Sequence, residues 1–260
     1  MDIIKFSDFL LEHKLWYKTI PQFLKWLEEK SYDMDFVFTD TETTGLGGPK
    51  KKQLTQISAI SSKYFIGNNT FIEKDKFSQK IKLTPETRLK KITDSDIDRA
   101  LRLNRYGDGS SDYLDERLTI KMFYEWLKEQ KTPLLIMQNA SFDMSMINAR
   151  SDIRFDNEVL DTKQLIQLYF IPLIQKLSET DKEYKDMIDK IGTSPRDGGL
   201  ISSSMSKIGP SLGLDMSGYH DALTDCRITM EMFKKIIELL KKYSHIDIMK
   251  YQVERIKILR

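Results

Sequence analysis

Two acidic side chains directly follow a short apolar run in the first fifth of the chain. Asp40 and Glu42 stand two positions apart in FVFTDTETTGL, residues 36 to 46. Because alternate residues of a β-strand project from the same face, we expect the two carboxylates to lie close together on one side of a strand. Like charges at that separation repel, and a cation between them relieves the repulsion. The spacing therefore predicts a metal site at the end of a buried strand.

Two later segments carry groups suited to the same chemistry. Asp143 lies in QNASFD, in the first turns of a predicted helix that follows the apolar run LLIMQ, and His220 and Asp225 lie in HDALTD, where another helix is predicted to begin. Carboxylates on separate elements suit hard divalent cations such as Mg²⁺ or Mn²⁺, which take oxygen ligands and keep several waters. A histidine beside such a cluster is well placed to take a proton from water.

Composition favours an ordinary soluble protein. The 260 residues are 40% hydrophobic and 31% charged, with a net charge of +2, which suits one large globular domain and says little about partners. No segment approaches the roughly 18 to 20 apolar residues that span a bilayer, and the first residues lack the apolar core of a signal peptide. The single cysteine, Cys226, excludes an internal disulfide and a cysteine-based zinc site. We therefore expect a cytoplasmic protein with no membrane partner.

The order of elements predicts an α/β fold. Residues 1–32 have the spacing of an amphipathic helical arm that packs on the core, and a meander of three antiparallel strands follows, the third being the short segment TFIEK. Residues 74–115 are polar, and we expect irregular structure there with one or two short helices. Strands first, then strands mixed with helices, indicate a mixed sheet with helices against its faces.

The second half of the chain is predicted to be mainly helical. LLIMQ is interpreted as a buried parallel strand and VLDT as another short strand. A long helical stretch then follows, with an interruption expected near Pro172. Further helices are predicted from HDALTD onward and over the C-terminal residues 244–260.

Taken together, FTDTETTGL, QNASFD and HDALTD resemble the three motifs of the DnaQ-like exonuclease superfamily, in the DEDDh group. The resemblance covers roughly residues 35 to 235, and the motifs occur in the family's order. It implies a ribonuclease-H-like fold, with a central five-stranded mixed sheet flanked by helices and with extra N- and C-terminal helices here. On this basis the exonuclease domain is expected over residues 33–243, with an insertion at 74–115.

The resemblance also implies the role of each site residue. The family's four acids correspond to Asp40, Glu42, Asp143 and Asp225, which would bind two Mg²⁺ or Mn²⁺ ions, and its general base corresponds to His220. The positions that hold the terminal nucleotide in relatives correspond to Thr43, Thr44, Leu46, Asn139 and Phe142. Phe142 taken alone is more typical of a core side chain. Gln138 stands where many members have histidine, and Asp161 resembles a structural position of the family.

The implied activity is 3′-to-5′ removal of nucleoside 5′-monophosphates from single-stranded DNA or frayed 3′ ends, alone or as the proofreading partner of a polymerase. RNA trimming by the same chemistry stays open, because the 2′-hydroxyl contact that separates the two cannot be read from the sequence. A non-catalytic nucleic-acid-binding or polymerase-associated module is a third alternative, which the complete set of five catalytic residues disfavours. Oligomeric state is left open.

Basic residues offer a further clue to a nucleic-acid partner. Between residues 74 and 105, ten lysines and arginines face five acids, and PKKK at residues 49 to 52 stands just after the first motif. Such residues are placed to meet phosphates of an incoming strand. A solvated charged surface accounts equally well for any one of them.

Overall fold

A five-stranded mixed sheet forms the centre of the fold. The computed structural model describes residues 19–45, 48–107, 112–131 and 133–259. The strands, which lie in the order β3-β2-β1-β4-β5, are β1 (Phe36–Thr43), β2 (Leu54–Phe65), β3 (Thr70–Lys80), β4 (Leu134–Met137) and β5 (Val159–Asp161). The first three pair antiparallel, whereas β1 with β4 and β4 with β5 pair parallel. The predicted mixed α/β sheet is thereby confirmed.

Helices cover both faces of this sheet. They are α1 (Ile20–Asp33), α2 (Pro85–Thr93), α3 (Ser95–Leu103), α4 (Glu116–Glu129), α5 (Ala140–Asn148), α6 (Thr162–Leu165), α7 (Ile171–Leu177), α8 (Lys182–Ile191), α9 (Met205–Ser211), α10 (Ala222–Lys242) and α11 (Met249–Leu259). A π-helical turn, Ile166–Phe170, joins α6 to α7, and a 3₁₀ turn occupies Pro195–Asp197. Among the described residues, no helix is both long and apolar enough to cross a membrane.

The alternation of side chains along β1 separates two helical layers. Phe36 and Phe38 point toward α10, where both rings approach Phe233 with centroid distances of 6.3 and 6.0 Å. Val37 points the other way, into a separate core that includes Ile147 of α5. The helices α10 and α5 therefore lie on opposite faces of the same strand, and each delivers its own residues to the strand's carboxyl end.

The third strand is longer than the sequence predicts. β3 continues from Thr70 to Lys80, and its residues pair with β2 as far as Gln56. Most of its side chains are exposed, so hydrophobic alternation does not reveal it. It is an edge strand with many charged side chains, and backbone pairing with β2 defines it. Of the segment 74–115, only the part after Lys80 lies outside the sheet, and α2 and α3 are the short helices expected there.

The interruption predicted near Pro172 is a π-helical turn, Ile166–Phe170, which breaks the regular α-helical pattern just before the proline. Helical structure runs through this residue, because Pro172 lies at the start of α7, directly after the π-helical turn. Proline lacks an N–H, so the carbonyl four residues before it loses its usual helical donor; here Leu168 O accepts from Gln252 Nε2 at 2.8 Å. The helical stretch ends after Leu177, and α8 begins beyond Asp181, whose side chain accepts a hydrogen bond from Glu183 N.

The terminal helices pack on the body of the protein. In α1, Thr19 and Gln22 form a reciprocal capping box, and the Phe23 ring stacks on Tyr169 with centroids 4.6 Å apart. Residues 1–18 of the predicted arm lie outside the described part of the chain. The C-terminal helix α11 begins at Met249, a few residues later than expected. The division into an arm, a domain over 33–243 and a C-terminal helix stays a prediction.

Candidate active site

The carboxyl end of β1 positions the first two acids. Asp40 and Glu42 pair with Ser58 and Gln56 of β2, on the face that also carries Phe38. The regular pairing shifts just after Glu42, so the acids occupy the last regular positions of the strand. Glu42 is only 8% exposed, whereas Asp40 is open to solvent in part.

The helix α10 brings a third carboxylate and the histidine to the same face. Asp225 lies in the first turn of α10, and Asp221 caps the helix by accepting a hydrogen bond from Thr224 N at 3.1 Å. Ligand atoms of Glu42, His220 and Asp225 all lie within 4.8 Å of one another. These three residues are thus close enough to share one metal ion.

The backbone of His220 adopts an unusual conformation that fixes it against Asp225. Its φ is +74°, a left-handed value that is uncommon for any residue other than glycine. Its N–H donates to Asp225 Oδ1 at 3.3 Å, and its ring lies against Tyr219 with centroids 4.0 Å apart. Burial lowers the pKa of His220 below its usual 6.5, which favours the neutral imidazole that accepts a proton.

Asp143 reaches the site from the opposite layer. Asp143 Oδ1 accepts hydrogen bonds from Thr41 N at 3.1 Å and from Thr41 Oγ1 at 2.5 Å. Thr41 stands between the two acids of β1 and points to the other face, so it connects Asp143 to the strand end. The start of α5 is held by Asp161, whose oxygens accept from Asn139 N at 2.9 Å and Ala140 N at 3.1 Å.

Burial raises the pKa of each of the four carboxyl groups, and repulsion by the other acids of the cluster raises those of Asp40 and Glu42 further. The pKa of Glu42 rises from 4.5 to about 8, first because it is buried and then because Asp225 and Asp143 are near. Burial, followed by the charges of Asp143 and Glu42, holds the pKa of Asp40 well above its usual value. Burial likewise raises the pKa values of Asp143 and Asp225 to about 7 each. Such a cluster is fully ionised at neutral pH only when positive charge is supplied.

The predicted substrate-binding threonines already have partners within the loop after β1. The Thr43 hydroxyl donates to Gly45 O at 3.0 Å and accepts from Gly45 N at 3.2 Å. The buried Thr44 hydroxyl accepts from Gln53 N at 3.0 Å. Both side chains close the turn beside the acids, and their contact with substrate stays a prediction. Leu46 lies outside the described residues.

The predicted residues of the second motif occupy the turn before α5 and its first residues. Asn139 has a left-handed φ of +66°, and its side-chain oxygen accepts from Lys163 Nζ at 3.4 Å. Phe142 is half-buried and packs against the core on the α5 face, which agrees with the simpler interpretation of that ring. Gln138 donates to Ser203 O at 3.0 Å and accepts from Thr162 Oγ1.

Sequence reasoning missed two residues that shape the site. Asp221 adds a further negative charge that raises the pKa values of Asp40, Glu42 and Asp225. Its position just before a predicted helix is the signal of an N-cap, which could have marked it. Thr41 carries no such signal. It lies between Asp40 and Glu42 and points to the other face of the strand, and nothing in the sequence shows which side chain its hydroxyl contacts.

The fold is similar to that of nucleases of known structure. A zinc-bound complex of E. coli exonuclease I with single-stranded DNA matches with a TM-score of 0.51 and 17% identity, over 81% of this chain and 42% of that chain. A 3′-exonuclease that recognises the 3′ end of the histone mRNA stem-loop matches with a TM-score of 0.51 and 13% identity, over 80% and 82%. A further exonuclease I structure gives a TM-score of 0.52 and 16% identity, over 81% and 44%.

These likenesses confirm the ribonuclease-H-like fold, and with it the resemblance to DnaQ-like exonucleases at the level of the fold. The chain spans less than half of the length of exonuclease I. Its sequence matches no family model and no curated protein.

Proposed function

We propose that the protein is a metal-dependent 3′-to-5′ exonuclease that hydrolyses terminal phosphodiesters of single-stranded DNA or frayed 3′ ends and releases nucleoside 5′-monophosphates. The observation that carries the proposal is the convergence of four carboxylates and one histidine, from both helical layers, on the end of β1. Such a repulsive cluster serves no purpose in packing, since burying like charges costs stability.

The donor set fits hard divalent cations. Four carboxyl groups whose pKa values are raised by burial and repulsion gain most from a bound cation, and oxygen-rich sites suit Mg²⁺ or Mn²⁺. Asp40, Glu42, Asp143 and Asp225 would hold the ions, and ligand atoms of Glu42 and Asp225 already lie within 4.8 Å of each other. When bound, the ions would lower the pKa of the attacking water and stabilise charge on the departing 3′-oxygen.

His220 is the general base in this proposal. Its neutral imidazole takes a proton from the water that attacks the terminal phosphorus, and the bond from phosphorus to the 3′-oxygen breaks with its electron pair on that oxygen. The hydrogen bond from His220 N to Asp225 fixes the backbone of the base relative to the acids. Thr41, through its two bonds to Asp143 Oδ1, holds that carboxylate in place.

The motif resemblance fits DNA and RNA alike, and the similar exonuclease I in complex with single-stranded DNA supports DNA as the first candidate. The similar 3′-exonuclease that recognises histone mRNA supports RNA as the second candidate. A polymerase partner and a cytoplasmic location belong to the same proposal.

One paired degradation assay tests this function. Single strands of DNA and RNA with the same sequence and a 5′ label are incubated with Mg²⁺, Mn²⁺ or EDTA. The enzymes are wild type, Asp40→Asn and a control, Asp156→Asn, which changes an exposed acid. We expect a metal-dependent ladder that shortens from the 3′ end, is lost in Asp40→Asn and is kept in the control. The polymer that shortens faster is the substrate, and if neither polymer shortens with either metal, the proposal is wrong.

A further inference from the structure

Two sets of three can be distinguished among the ten basic residues between 74 and 105. Three form ion pairs: Lys74 with Asp35, Lys90 with Glu86 and Arg102 with Asp98. Three others, Lys82, Arg88 and Lys91, line a single cleft of about 420 Å³. None of these three makes an ion pair with a carboxylate of the described residues. Three cations that form no ion pair with a carboxylate of the described residues therefore share this cleft.

The same cleft contains two tyrosine rings that are held in place by their hydroxyl groups. The rings of Tyr106 and Tyr113 have centroids 4.8 Å apart and planes inclined by 45°. The Tyr106 hydroxyl accepts from Leu83 N at 2.9 Å and donates to Ile81 O at 3.1 Å, and the Tyr113 hydroxyl accepts from Gly107 N at 2.8 Å. Both side chains are only half-buried, so ring surface stays open to a ligand.

Hydrogen bonds attach this cleft to the segment that follows Glu42. The buried Asn104 donates from its side chain to Thr43 O at 2.9 Å. Gln53 bridges the two regions, because its N–H donates to Thr44 Oγ1 at 3.0 Å and its Nε2 donates to Lys82 O at 2.9 Å. The cleft is therefore a fixed neighbour of the strand end that carries the acids.

We propose that this cleft, which we call the strand platform and define as Lys82, Arg88, Lys91, Tyr106 and Tyr113, binds the single strand upstream of the nucleotide being removed. Surfaces for single strands combine cations that meet phosphates with aromatic rings on which bases stack, and both are present here. Binding of this kind tolerates any sequence and weakens as salt increases. The assignment of a strand to this cleft rests on the proposed nuclease function.

Removing two cations tests the electrostatic half of the platform. Arg88→Gln with Lys91→Gln changes two exposed side chains on α2, and Lys182→Gln with Lys185→Gln is the control, with the same spacing and charge change on α8. Affinity for labelled single-stranded DNA is measured in EDTA by fluorescence anisotropy. A strand of about 20 nucleotides extends beyond the active site, whereas a strand of about 4 nucleotides does not. We expect about tenfold weaker binding of the long strand and a slope of log K against log salt that is less steep by about 1.4, which corresponds to two phosphate contacts. The short strand and the control are expected to show no change.

Changing one ring tests the stacking half. Tyr113→Leu removes the aromatic face, whereas Tyr113→Phe keeps it and loses only the hydroxyl. We expect Tyr113→Leu to bind the long strand at least about fivefold more weakly, since stacking of one base on an aromatic side chain supplies an effect of that order or larger. Tyr113→Phe keeps the ring but loses the hydroxyl that accepts from Gly107 N, so it is expected to lose less affinity than Tyr113→Leu. Equal losses would mean that the ring does not stack on a base.

The outcomes separate this proposal from the proposed function. If wild type degrades neither polymer but Arg88→Gln with Lys91→Gln still loses affinity for the long strand, the platform stands and the nuclease assignment falls. The platform is overturned if the double variant, Arg88→Gln with Lys91→Gln, binds the long strand with unchanged affinity and salt dependence. It is also overturned if short and long strands lose affinity equally, because the lost contact would then belong to the active site.

Discussion

Replacing Glu42 by glutamine is expected to stabilise the metal-free protein at alkaline pH. Glu42 has a pKa of about 8 in the folded protein, against 4.5 for an ordinary glutamate, because it is buried beside Asp225 and Asp143. Between these two values the folded state binds more protons than the unfolded state, so the free energy of unfolding falls as the pH rises from about 4.5 to about 8. Glutamine fills the same space without a charge and removes this loss.

The magnitude follows from the size of the pKa change. A rise from 4.5 to about 8, at about 1.4 kcal/mol for each tenfold change in proton affinity, corresponds to a loss of about 5 kcal/mol above pH 8. Part of that loss remains after substitution, because the amide is also desolvated when it is buried. We therefore expect a gain of about 2 to 4 kcal/mol, which raises the melting temperature by roughly 5 to 10 °C in a domain of this size.

Thermal unfolding in EDTA measures the effect. We compare wild type, Glu42→Gln and a control, Glu73→Gln, which changes an exposed glutamate of β3. The comparison is made at about pH 5, where the fall in stability has only begun, and at about pH 9, where it is complete. Glu42→Gln is expected to gain stability over wild type mainly at the higher pH, and the control is expected to match wild type at both. Excess Mg²⁺ at the higher pH is expected to stabilise wild type more than Glu42→Gln, because the variant has lost a ligand.

Two results would refute the reasoning. If Glu42→Gln melts at or below the wild-type temperature in EDTA at alkaline pH, repulsion among the carboxylates does not destabilise the folded protein. If its gain is the same at both pH values, the effect comes from packing or hydrogen bonding at this position, because an ionisation would make it depend on pH.

Three further outcomes are expected. Thr41→Val removes the hydroxyl that donates to Asp143 Oδ1 and should raise the pKa of Asp143 further. The Mg²⁺ concentration for half-maximal hydrolysis should then increase several-fold, and an unchanged concentration would mean that this hydrogen bond does not prepare Asp143 to bind metal. Under the proposed mechanism, kcat of wild type should rise with pH as the imidazole of His220, whose pKa is lowered from 6.5, loses its proton. His220→Gln should abolish that rise in a pH–rate profile, and a persisting rise would exclude His220 as the base. Phe233→Ala, in the core against β1, should cost about 3 to 5 kcal/mol in denaturant unfolding, whereas Ile92→Ala, 83% exposed, should change stability by less than about 0.5 kcal/mol.

The sequence by itself determined the features that depend on local geometry. The two-residue period of a strand placed Asp40 and Glu42 on one face, and the structure has them there. Apolar runs marked the strands that are buried, and the order of strands and helices indicated a mixed sheet. The full length of β3 could not be predicted in this way. Its side chains are mostly exposed, so no hydrophobic pattern marks the strand, and backbone pairing with β2 defines it.

Only the tertiary structure decided which distant groups meet. Thr41 and Asp143 are 102 residues apart in sequence and hydrogen-bonded in the fold, and the closeness of Glu42, His220 and Asp225 depends on where α10 packs against β1. The structure also distinguished the cations that form ion pairs from those that line the strand platform. Local sequence fixes the direction of a side chain along its own strand or helix, but the distance between two elements is set by how their apolar faces pack, and that depends on the whole core at once.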